Sequence, residues 1–281
     1  MYKNKSKICI GCEPLGGHNW GEFEEKKFEK LFSSSYSKGV NFYDTAAIYG
    51  LGKSEIRLKN YLGKNIKNCF ISTKGGIKLN KKKIIIDGSL EFIKNDLKKS
   101  FERLGLKNIY LYSIHHYDNK QDYRPTLDYL TELKKKNIIS NIGVGNISIE
   151  DFIKLNKIYK IDYLQIPINI FNFAFYNDFA KYCKKFDVKI LPYNILLYGL
   201  LSKTFDEIES LKKDVKINHR LKTFLNSSLG IKYLKKFISS NQNLHKEAIT
   251  KILKLDLVES VILGMSNINQ LKKNLKYISF N

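Results

Sequence analysis

Three titratable side chains of this sequence stand where short apolar runs end. Asp44 closes Val40 to Asp44, Lys74 follows Cys69 to Thr73, and His115 ends Ile109 to His115. Asn146, Gln165, Tyr193 and Gly264 hold comparable places at or beside four later runs. A carboxylate, an ammonium and an imidazole are groups that move and steer protons, so gathering them would make an acid–base centre. Singly, each has a blander explanation: an Asp before a Thr can cap a helix, a lysine can end a strand in solvent, and a histidine can sit satisfied in a core. Their joint recurrence at the ends of successive runs favours chemistry.

Two other spacings invite a reading and fail it. Gly52-Lys53-Ser54 resembles the end of a phosphate-binding G-x-x-x-x-G-K-[ST] loop, but the required first glycine falls on Ala47. Cys9 and Cys12 have C-x-x-C spacing, yet Ile8 to Cys12 reads as a strand, on which positions three apart face opposite ways. Buried free thiols, with no metal, are expected.

The elements that must carry these residues are set by periodicity. Eight short, β-branched apolar runs recur: Lys7 to Cys12, Val40 to Asp44, Cys69 to Thr73, Ile109 to His115, Ile142 to Gly145, Tyr163 to Ile166, Lys189 to Leu191 and Ser260 to Leu263. Between most of them lie segments of helical spacing, such as Leu90, Ile93, Leu97, Phe101 and Leu104, or Leu127, Leu130 and Leu133. Alternating strand and helix calls for a parallel sheet. Eight units are the number that close into a (β/α)8 TIM barrel, although an open doubly wound sheet shares most of the pattern. A barrel fits 281 residues as a single domain, 1–281, with chemistry at the carboxyl ends of its strands. Ser202 to Asn243 is long and polar, and is expected to be an insertion over the barrel mouth.

Composition narrows the function class. Hydrophobic residues make up 43% of the chain and aromatics 13%, enough for a packed core. The net charge of +22 suggests polyanions, but only Arg57, Arg103, Arg124 and Arg220 among 49 basic residues are arginine, the residue whose fork reads bases and phosphates. No specific nucleic-acid partner is expected. No apolar run is long enough for a membrane span and the first ten residues are too polar for a secretory signal, so a cytoplasmic protein without a membrane partner is expected.

Asn41-Phe-Tyr-Asp-Thr-Ala-Ala-Ile-Tyr-Gly50, followed by Ser54-Glu55, resembles the signature of the aldo/keto reductase superfamily. The likeness continues through Ser72-Thr-Lys74-Gly, Leu111-Tyr-Ser-Ile-His115, Gly143-Val-Gly-Asn146, Gln165 with Pro167 to Asn169, Tyr193 with Gly199-Leu-Leu, and Val261-Ile-Leu-Gly264 with Gln270 and Asn274. It implies an enzyme that reduces an aldehyde or ketone, or runs the reverse, with a catalytic tetrad of Asp44, Tyr49, Lys74 and His115. Hydride arriving at a carbonyl puts negative charge on its oxygen, which needs a proton donor. Tyr49 would be that acid. Lys74, aimed by Asp44, would make its proton easier to lose, and His115 would orient the substrate oxygen. A cofactor-binding regulatory subunit that does no chemistry is the alternative.

The resemblance also implies a nicotinamide cofactor. Asn146 and Gln165 would hold its carboxamide and Tyr193 would stack on its ring. Gly264, Ser266, Gln270 and Asn274 would meet its adenosine end. Met265 and Gln270 are neutral where relatives strict for NADPH place basic residues, so NADP(H) is expected only narrowly ahead of NAD(H). No G-x-G-x-x-G signature of a separate dinucleotide-binding domain is present. In the substrate pocket, Trp20 and His116 beside hydrogen-bonding groups suit a sugar or a sugar-derived carbonyl. A monomer or weak homo-oligomer is expected.

Overall fold

All eight apolar runs form strands, and the strands are parallel. In the computed structural model, which describes residues 4–17, 23–81, 83–212, 221–223 and 243–278, they are β1 (Ile8–Gly11), β2 (Phe42–Asp44), β3 (Phe70–Gly75), β6 (Ile109–Ile114), β7 (Ile139–Gly145), β8 (Tyr163–Gln165), β9 (Lys189–Ile190) and β10 (Val261–Gly264). Their order, β10-β1-β2-β3-β6-β7-β8-β9, places the first strand beside the last. The two ends of this sheet then meet. Ile262 N–H donates to the Pro192 carbonyl and Ile190 N–H to the Leu257 carbonyl, both at 2.9 Å. The curled sheet with its helices is a (β/α)8 barrel.

Helices follow the strands where the sequence gives caps and stripes. α1 (Glu25–Ser35) and α2 (Lys53–Leu62) follow β1 and β2. α3 (Leu90–Leu104) begins at Ser89, whose hydroxyl caps Phe92 N–H, buries Ile93, Leu97 and Leu104, and stops at Gly105. α4 (Arg124–Lys135), α5 (Ile149–Asn156) and α6 (Phe173–Phe186) follow β6, β7 and β8. α5 is capped by Ser148 and carries Glu150 and Asp151 in its first turn, where the helix dipole favours acids. α7 (Phe205–Lys212), α8 (Leu244–Leu253) and α9 (Ile268–Ile278) complete the described set. Most of the expected insertion, Ser202 to Asn243, lies outside the described residues.

Two core layers arise because alternate strand residues face opposite ways. Cys9, Phe42, Leu111, Tyr163, Leu191 and Ile262 fill the barrel interior, while Ile8, Ile10 and Tyr43 pack outward with the helices. Cys9 belongs to the inner layer and Cys12 to the outer, and both are buried free thiols. Thus the C-x-x-C pair does not share a face.

Three features depart from the pattern reading. β4 (Ile77–Asn80) and β5 (Lys83–Ile86) form an antiparallel hairpin in the connection between β3 and α3. Lysines dilute its apolar residues, and Leu79 and Ile84 remain exposed, so it gives no buried-strand signal. β7 starts three residues before the expected Ile142, because Ile139 is buried while Ser140 and Asn141 are not. β9 has only two residues, since Pro192 has no N–H with which to continue the ladder.

Candidate functional site

Along the barrel axis the inner column turns from apolar to polar. Phe42 and Asp44 share the inner face of β2, two residues apart, so the strand that buries a ring also delivers a carboxylate. Asp44 is 3% exposed and Lys74 5%, and their Oδ2–Nζ distance is 2.6 Å. The pair is held on every side. Asp44 Oδ1 accepts from Ser72 Oγ at 2.7 Å and Gln165 Nε2 at 2.9 Å, and Lys74 Nζ also donates to the Thr45 carbonyl at 2.7 Å. Such satisfaction is what a buried ion pair needs to offset desolvation.

Tyr49 reaches this pair from the loop after β2, which is forced into an unusual path. Gly50 has φ 60°, and a side chain there would stand 2.3 Å from the Gly16 carbonyl oxygen, so only glycine fits. The Lys74 ammonium lies 5.1 Å from the centre of the Tyr49 ring. The His115 ring meets that phenol edge-on, with centroids 5.6 Å apart and planes at 84°. A carboxylate, an ammonium, a phenol and an imidazole from three strand ends, with Asp44 and Tyr49 both at that of β2, therefore surround one place.

Beside them, Asn146 stands at φ 50°, a conformation asparagine tolerates. Its Nδ2 donates to the His115 carbonyl at 2.8 Å, and its Oδ1 accepts from Tyr193 Oη at 3.0 Å. This links the ends of the fourth, fifth and seventh barrel strands. Gln165 is 2% exposed, and the bond to Asp44 fixes which way its amide lies. Its Oε1 is left buried without a partner among the described residues. An unsatisfied buried acceptor of this kind fits the N–H of a ligand's amide. Gly145 leaves no slack beside them, since a Cβ there would lie 3.1 Å from the His115 carbonyl oxygen.

The remaining expected residues are distributed less evenly. Gly264 is exposed with open space around it. Gln270 Oε1 accepts from Ser266 N–H at 2.8 Å, so these two form one loop unit. Asn274 is 2% exposed and its Oδ1 is 2.7 Å from His245 Nε2, so it is packed towards α8. Burial holds His245 down to about pKa 4, leaving it neutral. His116 is half-buried next to His115, and its Nδ1 has no partner among the described residues. Trp20 lies outside the described residues.

Sequence reasoning missed Ser72 and Thr45, which hold the Asp44–Lys74 pair. For Ser72 a signal existed: it precedes Lys74 by two residues, hence shares its face of β3. Behind that strand, Glu55 accepts from Thr73 Oγ1 and from Arg103 Nε, both at 2.6 Å, and Asp96 accepts from Gly76 N–H at 3.3 Å. These contacts join residues 18 to 48 positions apart, which pattern alone does not reveal.

Comparison with known proteins agrees with this architecture. The chain is 27% identical to the aldo-keto reductase YhdN of Bacillus subtilis over 220 residues, 76% of this chain and 65% of that protein. It is 25% identical over 215 residues, 71% of this chain and 66% of the relative, to the NADH-specific methylglyoxal reductase of Escherichia coli. It thus spans just under two thirds of these two relatives. Among solved structures, the holo form of an aldo-keto reductase from Bacillus halodurans superposes with a TM-score of 0.79 at 22% identity, covering 98% of this chain and 87% of that one. The model of the Aldo/keto reductase family matches residues 7–281, and the chain belongs to that family.

Proposed function

We infer that this protein is an oxidoreductase that reduces an aldehyde or ketone to an alcohol, or catalyses the reverse, with a nicotinamide dinucleotide and with Tyr49 as the acid. The observation that carries this is the meeting of Tyr49, Lys74, Asp44 and His115 at one end of the barrel. Family membership supports the reaction class. The bound cofactor supplies the hydride.

The chain's own residues do the rest. Asp44, with Ser72 and the Thr45 carbonyl, holds the Lys74 ammonium against the Tyr49 ring and keeps it from swinging towards solvent. A cation there stabilises the phenolate that remains once Tyr49 gives its proton to the carbonyl oxygen. His115, edge-on to that phenol, is placed to hydrogen-bond the same oxygen and fix its approach. Gln165 Oε1 suits one N–H of the nicotinamide carboxamide. The Asn146 amide is already tied to His115 and Tyr193, so its part is to hold Tyr193 in place as a stacking face. The adenosine end is assigned to the loop after β10 and to α9.

The substrate we favour is a sugar or sugar-derived carbonyl. His116 gives the pocket a hydrogen-bonding group beside His115, and Tyr117, stacked on Tyr123 with centroids 4.3 Å apart, gives it an aromatic neighbour. The methylglyoxal reductase named above acts on a small polar dicarbonyl, so a polar substrate has a precedent among relatives. A panel of aldoses, ketoses and plain aldehydes, followed at the NAD(P)H absorbance, tests both parts. Turnover of apolar aldehydes alone defeats the sugar assignment. Unchanged turnover in Tyr49→Phe defeats the acid.

A further inference from the structure

The loop that carries Tyr49 is held in a costly shape. Gly50, Leu51 and Gly52 follow it with φ of 60°, 55° and 91°, three left-handed residues in a row. That region disfavours any side chain, and Leu51 is exposed, so its own packing does little to keep it there. Gly16 pins the turn at Gly50. At Gly52 the pin is Arg103, from the last turn of α3: a Cβ on Gly52 would stand 2.6 Å from Arg103 Cδ and 2.8 Å from its Nε.

From the same arginine, contacts run on to the strand of Lys74. Arg103 Nε donates to Glu55 Oε2 at 2.6 Å, and Glu55 Oε1 accepts from Thr73 Oγ1, also at 2.6 Å. Thr73 faces outward on β3 and its neighbour Lys74 faces in, so fixing one fixes the other. Asp96, two turns before Arg103, accepts from Gly76 N–H at 3.3 Å, and Ser100 between them accepts from Arg103 Nη2 at 3.3 Å. Spaced four and three apart, Asp96, Ser100 and Arg103 form a polar stripe on α3 beside the apolar Ile93, Leu97 and Leu104. Stability does not call for such a stripe. A carboxylate as buried as Glu55, at 0% exposure, costs desolvation that its partner only offsets, and an apolar pair of the same bulk would hold the fold as well.

We propose that Arg103 is a positioning residue for the reaction: packed on Gly52 on one side and joined through Glu55 to Thr73 on the other, it sets how far Tyr49 stands from Lys74. This rests on the assignment of Tyr49 as the acid. The Lys74 ammonium lies 5.1 Å from the centre of the Tyr49 ring, a distance at which a cation eases loss of the phenol proton, and that help fades as the two move apart. Tyr49 is faced by Lys74 and by the His115 ring, with Asp44 paired to Lys74. Arg103, faced by Glu55 and acting on Asp96, reaches the phenol only through the backbone of its loop.

The experiment compares the full-length wild type with Tyr49→Phe, with the double variant Glu55→Gln plus Arg103→Met, and with Tyr163→Phe. The double variant removes both charges and keeps an acceptor for Thr73, while Tyr163→Phe is expected to lose stability alone. Turnover of a carbonyl from the panel above is followed at the NAD(P)H absorbance across pH, beside thermal melting. The double variant is expected to melt near wild type yet to lose about 10- to 100-fold in kcat, with a smaller change in KM. Tyr49 acts as an acid only while it holds its proton. The high-pH limb of kcat should therefore move up by about one unit as Lys74 loses its hold on the phenol, whereas Tyr163→Phe should leave the limb where it is. Arg103→Lys keeps a cation beside Glu55 and should fall between wild type and the double variant, and it decides by the same readout should the double variant not fold. An unmoved limb, or a kcat that falls only with the folded fraction, overturns the positioning role. Turnover retained in Tyr49→Phe overturns the acid itself, and this inference with it. Turnover lost there while the Arg103 variants work normally overturns this inference alone.

Discussion

The barrel holds a buried or half-buried lysine against aromatic rings and a carboxylate at both of its ends, yet only one end is proposed as the site of chemistry. At the amino end, Lys5 Nζ donates to Tyr110 Oη at 2.7 Å, pairs with Glu259 at 3.0 Å and lies 4.9 Å from the centre of the Tyr110 ring. At the carboxyl end, Lys74 pairs with Asp44 and lies 5.1 Å from the centre of the Tyr49 ring. The difference is in the phenols. Tyr110 and Tyr163 are locked to each other by a 2.7 Å hydrogen bond, and burial, with the bond to Tyr110, pushes the Tyr163 phenol far above its ordinary range. Tyr49 instead stands half-buried on a loop, where a substrate can reach it. The same kinds of group make a plug when two phenols bond each other, and are proposed to make a reactive site when one phenol stands on an accessible loop.

The sharpest way to break this comparison is to remove one hydroxyl at each end. Tyr49→Phe is expected to lower kcat by about 10²- to 10⁴-fold, the usual worth of a positioned general acid, while cofactor affinity is kept. Tyr163→Phe should leave turnover unchanged and cost about 1–2 kcal/mol, read as a fall in thermal midpoint, because it strips a partner from Tyr110. If both variants lost activity equally, the two ends would not differ as described.

Next in size is a pH effect behind the carboxyl end. Burial raises the Asp96 carboxyl from 3.8 to about 6, against the Gly76 N–H that lowers it. Its folded value lies above its unfolded one, so its stabilising contribution is present below about pH 4 and is lost as pH rises through 6. Asp96→Asn keeps an acceptor for Gly76 and removes the buried charge. It should be more stable than wild type above pH 6, by up to about 3 kcal/mol, and the advantage should vanish near pH 4 in denaturant titrations. A constant difference across that range would show that charge is not the cause.

The smallest effect belongs to the rim of the plug. Lys5 holds the Glu259 carboxyl below its usual range despite partial burial, so that pair stabilises the fold above the ordinary carboxylate pKa and less as pH falls. The Glu259 side chain is 41% exposed, so water screens the pair, and Glu259→Gln is expected to cost only a few tenths of a kcal/mol, less still at high salt. A loss of several kcal/mol in the same denaturation assay would mean that the plug depends on this charge.

Legibility in the sequence followed the same division. The strands, the helices with polar caps and the strand-end residues Asp44, Lys74 and His115 were readable because β-branched runs and period-two alternation mark them locally. The hairpin Ile77–Asn80 with Lys83–Ile86 was hidden by its lysines and by its lack of burial. Gln270 was read correctly as neutral, but its turn onto Ser266 belongs to the folded loop and not to the residue type. Likewise the Glu55–Arg103 pair and the Tyr110–Tyr163 lock join positions 48 and 53 residues apart, which no single-sequence period encodes.

The crossing of Gly16 and Gly50 has a consequence for how this enzyme could be altered. A Cβ on Gly16 would stand 2.7 Å from Gly50 N, and one on Gly50 would collide with the Gly16 carbonyl, so the first two βα loops interlock backbone to backbone. Tyr49, the proposed proton donor, is thereby tied to the loop whose sequence runs on into residues 18–22. Diversifying that first loop to accept new substrates should succeed only beyond Gly17, with the crossing itself left as a fixed hinge pin.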